Sequence, residues 1–310
     1  MQADVAFSRP SVPPRRRRFR VGLLFMLPAF LVVAVFFLGP AVWAVYVAFT
    51  NMALTGTGAA TPSWVGLDNL HKILSDGQFF SALRISLIYL VGSALIGQAV
   101  LGMLLALLMQ KRRPVFKSVL GGIIVACWVM PDVVAGYLWF SFLHADPMGL
   151  GTGTGLFNSV LGTFGLPQHV WLQEYPMAAI IVANTWRGTA FSMLLYASAL
   201  EGIAPELLDA ASIDGAGLWA RVRLIILPLL KGTIATDLLL ITLATLSDFT
   251  LVTVLTGGGP GFDTQLLTIY MYQHAFKFYE LGFGTAIALM IIVAGALLSL
   301  LYIRVLNVEV

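Results

Sequence analysis

Residues 201–228 read EGIAPELLDAASIDGAGLWARVRLIILP, a polar and charged passage set between two strongly apolar ones, yet itself patterned as helix. The apolar neighbours, about 177–200 and 229–255, each exceed the roughly 20 residues needed to cross a bilayer's hydrocarbon. The chain therefore crosses, builds an ordered element outside, and crosses back. Within that element Pro205 can open a helix, because its missing N–H would have no partner there anyway. Glu206 and Asp209 fall in the first turns, where negative charge suits the helix dipole. Leu207, Leu208 and Ala211 make a short apolar stripe, and Gly215 and Gly217 let the chain turn. Leu218, Trp219, Val222, Ile225 and Ile226 then occupy an arc of roughly 120 degrees, flanked by Arg221 and Arg223, until Pro228 ends the pattern. Such a hinge-linked pair either lies on the lipid interface or presents its apolar face to a protein.

Working outward, the totals agree with a polytopic membrane protein. The chain has 310 residues, 59% hydrophobic and only 11% charged, with a mean hydropathy of +0.89, too much apolar surface for a soluble domain. A net charge of +3 does not indicate nucleic acid, since the basic residues sit in clusters at the ends of apolar runs. Cys127 is the single cysteine, so no intrachain disulfide exists; with four scattered histidines and no H-E-x-x-H there is no metal or nucleophile constellation. The pattern predicts an all-α fold with six transmembrane spans at about 21–49, 82–109, 115–143, 177–200, 229–255 and 281–303. Residues 1–20 read as a basic cytoplasmic tail; the first apolar run is too long for a signal peptide and no cleavage pattern follows it. A short surface helix is expected around Asp68 to Leu74, with Trp64 an interfacial aromatic, and a surface segment after the turn TGGGPGFDT, 256–264.

Six spans with both termini inside place fourteen of the eighteen Lys and Arg residues in the cytoplasm, including Arg15 to Arg18, Lys111 to Arg113, Arg221 and Arg223. Residues 201–228 then lie on the cytoplasmic side. The loop 144–175, without a single Lys or Arg, lies outside.

The spacing Asp209-Ala210-Ala211, three residues, Gly215, nine residues, Ile225, one residue, Leu227-Pro228 resembles the EAA loop of permease subunits of binding-protein-dependent ABC importers. Asp214-Gly215-Ala216 matches the DGA of the sugar type, while Asp209 stands where that family most often has Glu, and Gly232 where it often has Pro. Val65 to Leu70 (VGLDNL), Trp128-Val129-Met130-Pro131 and Leu255 to Pro260 (LTGGGP) are similar to further family segments in the same order. The resemblance implies a coupling helix around Glu206 to Gly217, seated on a nucleotide-binding subunit, with Glu206, Asp209, Ala210, Ala211, Asp214, Gly215, Ala216, Leu227 and Pro228 as the coupling set. It also implies alternating access, a bacterial or archaeal cytoplasmic membrane, a second homologous permease chain and an extracytoplasmic binding protein. The chain contains no G-x-x-x-x-G-K-[ST], and Gly257 to Gly261 lacks the lysine. ATP and Mg²⁺ are thus expected on a dimer of separate ATP-binding subunits, with no cofactor and no enzymatic activity in this chain.

Polar groups inside the spans are candidates for the pathway, because a charge near the bilayer centre is costly unless it faces protein or water. Asp132, Arg187 and Asp248 qualify, with Gln98 and Asn184 as neutral companions and Trp128, Tyr137, Trp139, Trp186 and Tyr196 near them in sequence. Carboxylates and amides beside aromatic faces suit a carbohydrate, a di- or oligosaccharide first. Arg187 leaves open glycerol 3-phosphate or another polyol phosphate. Each group also has a structural alternative: Arg187 can pair with a carboxylate, Asp132 can cap a helix broken at Pro131, Asp248 can lie near the outer interface, and the aromatics can anchor or pack. An ion-coupled secondary transporter would need internal repeats, and none is evident. The loop 144–175 and the LTGGGP turn are candidate contacts for the binding protein.

Overall fold

Prolines and buried acids set where the helices of this chain begin, bend and end. The computed structural model describes residues 25–110, 112–145 and 153–307; the basic tail and Lys111 lie outside them. Helix α1 covers Phe25–Ala48. A π-helical stretch at Ala34–Leu38 immediately precedes Gly39 and Pro40, so the hydrogen-bond ladder widens where Pro40 has no N–H to give. Almost all of α1 is exposed, and only Val47 and Ala48 in its last turn are buried.

Helix α2, Gly77–Met109, begins earlier than the hydropathy pattern placed it, because Asp76 accepts the Gln78 N–H at 2.8 Å and caps the end. Helices α3, Pro114–Val129, and α4, Asp132–Leu143, meet at 103°. Met130 before Pro131 is extended, as the proline ring requires, and the helix cannot continue through it. Helix α5, Pro176–Glu201, is unbroken. It is followed by α6, Pro205–Ile213, at 77° to α5, and by α7, Leu218–Leu229, which meets α8, Lys231–Leu246, at 73°. Helix α9 is Leu281–Val305. Among the described residues three helices are long and apolar enough to cross a membrane alone, and the number rises to as many as six when each bent pair counts as one span. The chain is all-α; among the described residues the sole β-pairing is an isolated bridge between Thr50 and Trp64.

Two expectations are corrected. The segment 229–255 is not one helix: α8 stops at Leu246, the chain turns at 247–249, and a short helix resumes at Thr250–Leu255. The turn is fixed by Asp248, whose carbonyl accepts the Thr268 hydroxyl at 2.7 Å and whose carboxylate accepts the Tyr89 hydroxyl at 2.5 Å. The first part of the stretch after the 256–264 turn is not a surface segment either, since Leu266 to Tyr270 are buried, whereas Phe276 to Tyr279 are exposed as expected. Ser86 receives the Leu267 N–H at 2.9 Å and Tyr270 donates to Asp76, which draws this piece into the body against α2.

Helices α2 and α5 approach closely along a seam of small residues. A Cβ on Gly97 would lie 2.2 Å from Thr185 Oγ1, on Gly102 2.5 Å from Ser192 Cβ, and on Gly188 2.2 Å from the Gln98 side chain. This is how membrane helices gain packing where burial from water supplies no drive. At one end of the molecule the Gly282 N–H donates to Met52 O at 2.7 Å, joining the end of α1 to the start of α9. At the other end Lys231 donates to Asn307 O at 3.0 Å, so α9 finishes beside the 201–228 loop.

Candidate functional site

The 201–228 loop is built from the two bent junctions. Helix α6 is closed by a Schellman turn: the Ala216 N–H donates to Ala211 O at 2.9 Å and the Gly215 N–H to Ser212 O at 3.2 Å. Gly215 has φ +80° there, a conformation that L side chains rarely adopt, whereas Gly217 is in ordinary extended backbone. Gly215 is thus a turn-closing residue and not a loose hinge. Arg221 donates to Ser212 Oγ at 2.9 Å, fastening α7 to α6.

The expected coupling residues divide by exposure. Glu206, Asp209, Ala210, Asp214, Gly215 and Pro228 are exposed, Ala216 and Leu227 are half-buried, and Ala211 is buried. The apolar arc also divides. Ile226 is buried with Met193, Tyr196, Leu200 and Leu230, and Leu208 and Val222 pack against that cluster. Leu218 and Trp219 are each 73% exposed, and Ile213, beside the turn, is 87% exposed. One side of the element therefore grips α5 and α8 while the other carries large apolar side chains left exposed among the described residues.

Within the membrane body, α2, α3, α5 and α8 line a partly open cavity of about 330 Å³, with Gln98, Trp128, Asn184, Arg187, Phe191 and Thr245 among its walls. Of the pathway candidates, the structure brings Trp128, Asn184 and Arg187 to this cavity. Asn184 is buried and donates to Ser93 Oγ at 2.9 Å and Thr245 Oγ1 at 3.4 Å, while its carbonyl accepts from Gln98 at 3.3 Å. Trp128 lies 5.9 Å from Phe191 between ring centroids. Asp132, first residue of α4, forms an ion pair with Arg187 of α5. Asp248 is buried against Tyr89, and its Oδ1 has no hydrogen-bond partner among the described residues. Tyr137 is elsewhere, 62% exposed on the surface of α4.

Asp237 went unnoticed in the sequence. It is fully buried in α8 and accepts the Ser192 hydroxyl at 2.9 Å and the Tyr196 hydroxyl at 2.5 Å, both from α5. The available signal was an acid inside the apolar run that follows Lys231. At the opposite end from the 201–228 loop, a hollow of about 470 Å³ is lined by Ser81, Arg84, Glu174, Tyr175, Phe262 and Asp263, among others. It draws together the end of the 144–175 loop and the 256–264 turn. Glu174 there is exposed, and hydrogen bonds from His169 and the Val170 N–H hold its carboxyl below the usual range.

Among the described residues no group of His, Cys, Asp and Glu is placed to hold a metal ion. Comparison with known proteins gives a consistent result. Residues 98–307 match the family described as "Binding-protein-dependent transport system inner membrane component". The trehalose/maltose transport system permease protein MalF of Thermococcus litoralis is 30% identical over 294 residues, covering 93% of this chain and 94% of that protein. The trehalose transport system permease protein SugA of Mycobacterium tuberculosis is 32% identical over 311 residues, covering 97% and 93%. A chain from the crystal structure of a bacterial ABC transporter involved in import of the acidic polysaccharide alginate superposes with a TM-score of 0.77 at 22% identity, covering 94% of this chain and 96% of that one. At that identity the likeness is one of fold.

Proposed function

Because the chain belongs to the family of inner-membrane components of binding-protein-dependent transport systems, with sugar ABC permeases among its relatives, we propose that it translocates a di- or oligosaccharide by alternating access. A binding protein delivers the sugar from outside, ATP-binding subunits drive import from the cytoplasmic side, and a second, homologous permease chain completes the path. The observation that carries this reading is the cavity between α2, α3, α5 and α8. It offers an amide pair, a hydroxyl and two aromatic faces, the groups that hold a sugar by its hydroxyls and its apolar ring face.

The 201–228 loop is the coupling element in this reading. Its exposed face, with Ile213, Leu218 and Trp219 beside Glu206 and Asp209, is the surface an ATP-binding subunit would seat. Its buried face transmits motion to α5 and α8, which flank the cavity. The convergence of the 144–175 loop and the 256–264 turn on one hollow supports their role as contacts for the binding protein. Residues 1–20 and the 201–228 loop are both cytoplasmic in this arrangement, in keeping with the distribution of the basic residues.

The test is uptake of labelled trehalose and maltose into proteoliposomes holding the whole transporter, with ion gradients collapsed and ATP supplied on the side of the ATP-binding subunits. Uptake driven by ATP alone is expected. Uptake that persists without ATP and follows an imposed ion gradient would overturn the reading.

A further inference from the structure

Arg187 is the only charged side chain among the described residues that line the 330 Å³ cavity. Left alone beside Trp128, Phe191 and Leu240, a guanidinium would make this cavity a binding site for anions, since its fork matches carboxylate, sulfonate and phosphate groups. It is not left alone. The 103° break between α3 and α4 sets Asp132 at the first position of α4, with its carboxylate against Arg187 Nη1. The N-terminal end of α4 favours a negative charge at that position, which stabilises the ionised acid independently of Arg187.

We infer that Asp132 is a specificity-determining residue, an internal counter-ion that neutralises Arg187 from beside the cavity and so restricts the cavity to uncharged, hydroxyl-rich ligands. This inference rests on the reading of the cavity as part of the sugar path. An anionic ligand reaching Arg187 meets a guanidinium whose charge is already met at Nη1, and it either displaces Asp132 or lies close to its carboxylate. A neutral glycan meets no such opposition. Its hydroxyls find Gln98, Asn184 and Thr245, its ring face finds Trp128 or Phe191, and the Asp132–Arg187 pair stays intact.

The charge preference of the cavity can be read without knowing the sugar. The whole transporter, with Cys127→Ser and Ala244→Cys in this chain, places a single thiol of the chain in the cavity wall. Its rates of modification by an anionic sulfonatoethyl and a cationic trimethylammonioethyl methanethiosulfonate are followed by intact mass during ATP turnover. With Asp132 present the cationic reagent is expected to react as fast as the anionic one or faster. In Asp132→Asn the anionic-to-cationic ratio is expected to rise about tenfold, the scale of one unpaired charge at short range in a partly screened site. Asp132→Glu restores the original ratio, and Arg187→Gln moves it the opposite way. Reaction with both reagents at a ratio indifferent to Asp132→Asn and Arg187→Gln overturns the counter-ion role alone. A thiol at position 244 that neither reagent reaches in any state overturns the reading of the cavity as a water-filled path.

Discussion

Asp237 shows how much of the membrane body hangs on one side chain. Its two oxygens take hydroxyl protons from Ser192 and Tyr196, and all three groups are buried. Asp237→Ala leaves two buried hydroxyls without an acceptor, and is expected to destabilise by about 1–3 kcal/mol, given the modest strength of hydrogen bonds between membrane helices. Asp237→Asn keeps one acceptor and should cost less; thermal unfolding in detergent orders the two. Gly215 makes a sharper case because a Cβ there would meet nothing within 4 Å, so the backbone alone carries the effect. Gly215→Val is expected to strain the Schellman turn by about 1–2 kcal/mol, leaving the protein inserted but lowering sugar moved per ATP hydrolysed, while Gly215→Asn is milder because Asn tolerates this conformation. Equal uptake-to-hydrolysis ratios in the two variants would refute the turn as the cause. Gly215 was legible in the sequence, a glycine just past a helical stripe. Asp237 was not, because its partners lie 41 and 45 residues away and nothing near it in the chain announces them.

Helix ends were legible where proline marks them and illegible where a capping acid such as Asp76 or a distant contact sets them. Pro131 announced the break between α3 and α4, and Pro205 the start of α6. The turn at 247–249 has neither proline nor glycine; it exists because Tyr89 and Thr268 hold Asp248, one from α2 and the other from a segment 20 residues onward. The same contacts bury 266–270, which by composition alone could pass for an interfacial loop. The α2–α5 seam gives a test at this scale. Gly97→Leu puts a side chain where Thr185 already stands and is expected to separate the helices, with loss of monodisperse protein on size exclusion. Gly122→Leu on α3, which meets nothing within 4 Å, should be tolerated in the same assay.

For the molecule as a whole, the end opposite the 201–228 loop is tied by ionisable groups that lie just outside the spans. Burial works against ionised Glu280, but hydrogen bonds from Lys72 and His274 outweigh it and hold the carboxyl below its ordinary 4.5. Asp76 is likewise held below its ordinary 3.8, burial being outweighed by Tyr270 and the Gln78 N–H. Both acids bind protons more weakly folded than unfolded, so their contribution is complete above those ordinary values and lost as pH falls through the lower folded ones. The melting temperature is therefore expected to be flat with respect to these two groups from pH 7 to 5 and to drop below about pH 4.5, with a shallower drop in Glu280→Gln. The fold class, the loop and its family were legible from hydropathy, basic residues and the Asp209-to-Pro228 spacing, since those are local patterns. The cavity was legible only as a list of polar residues, because which of them meet depends on how four helices cross.

The Asp132–Arg187 pair also has a history during synthesis. Asp132 emerges from the ribosome 55 residues before its partner, whereas Asp237 arrives after Ser192 and Tyr196 are already made. An unpaired acid resists entry into lipid by about 2.5–3.5 kcal/mol on insertion scales. Helix α4 should therefore wait at the membrane surface until α5 is made, and integrate with it. With Cys127→Ser and Val134→Cys, nascent chains stopped at residue 175 are expected to leave this α4 thiol open to a water-soluble maleimide, chains stopped at 230 to protect it, and Asp132→Leu to remove the difference.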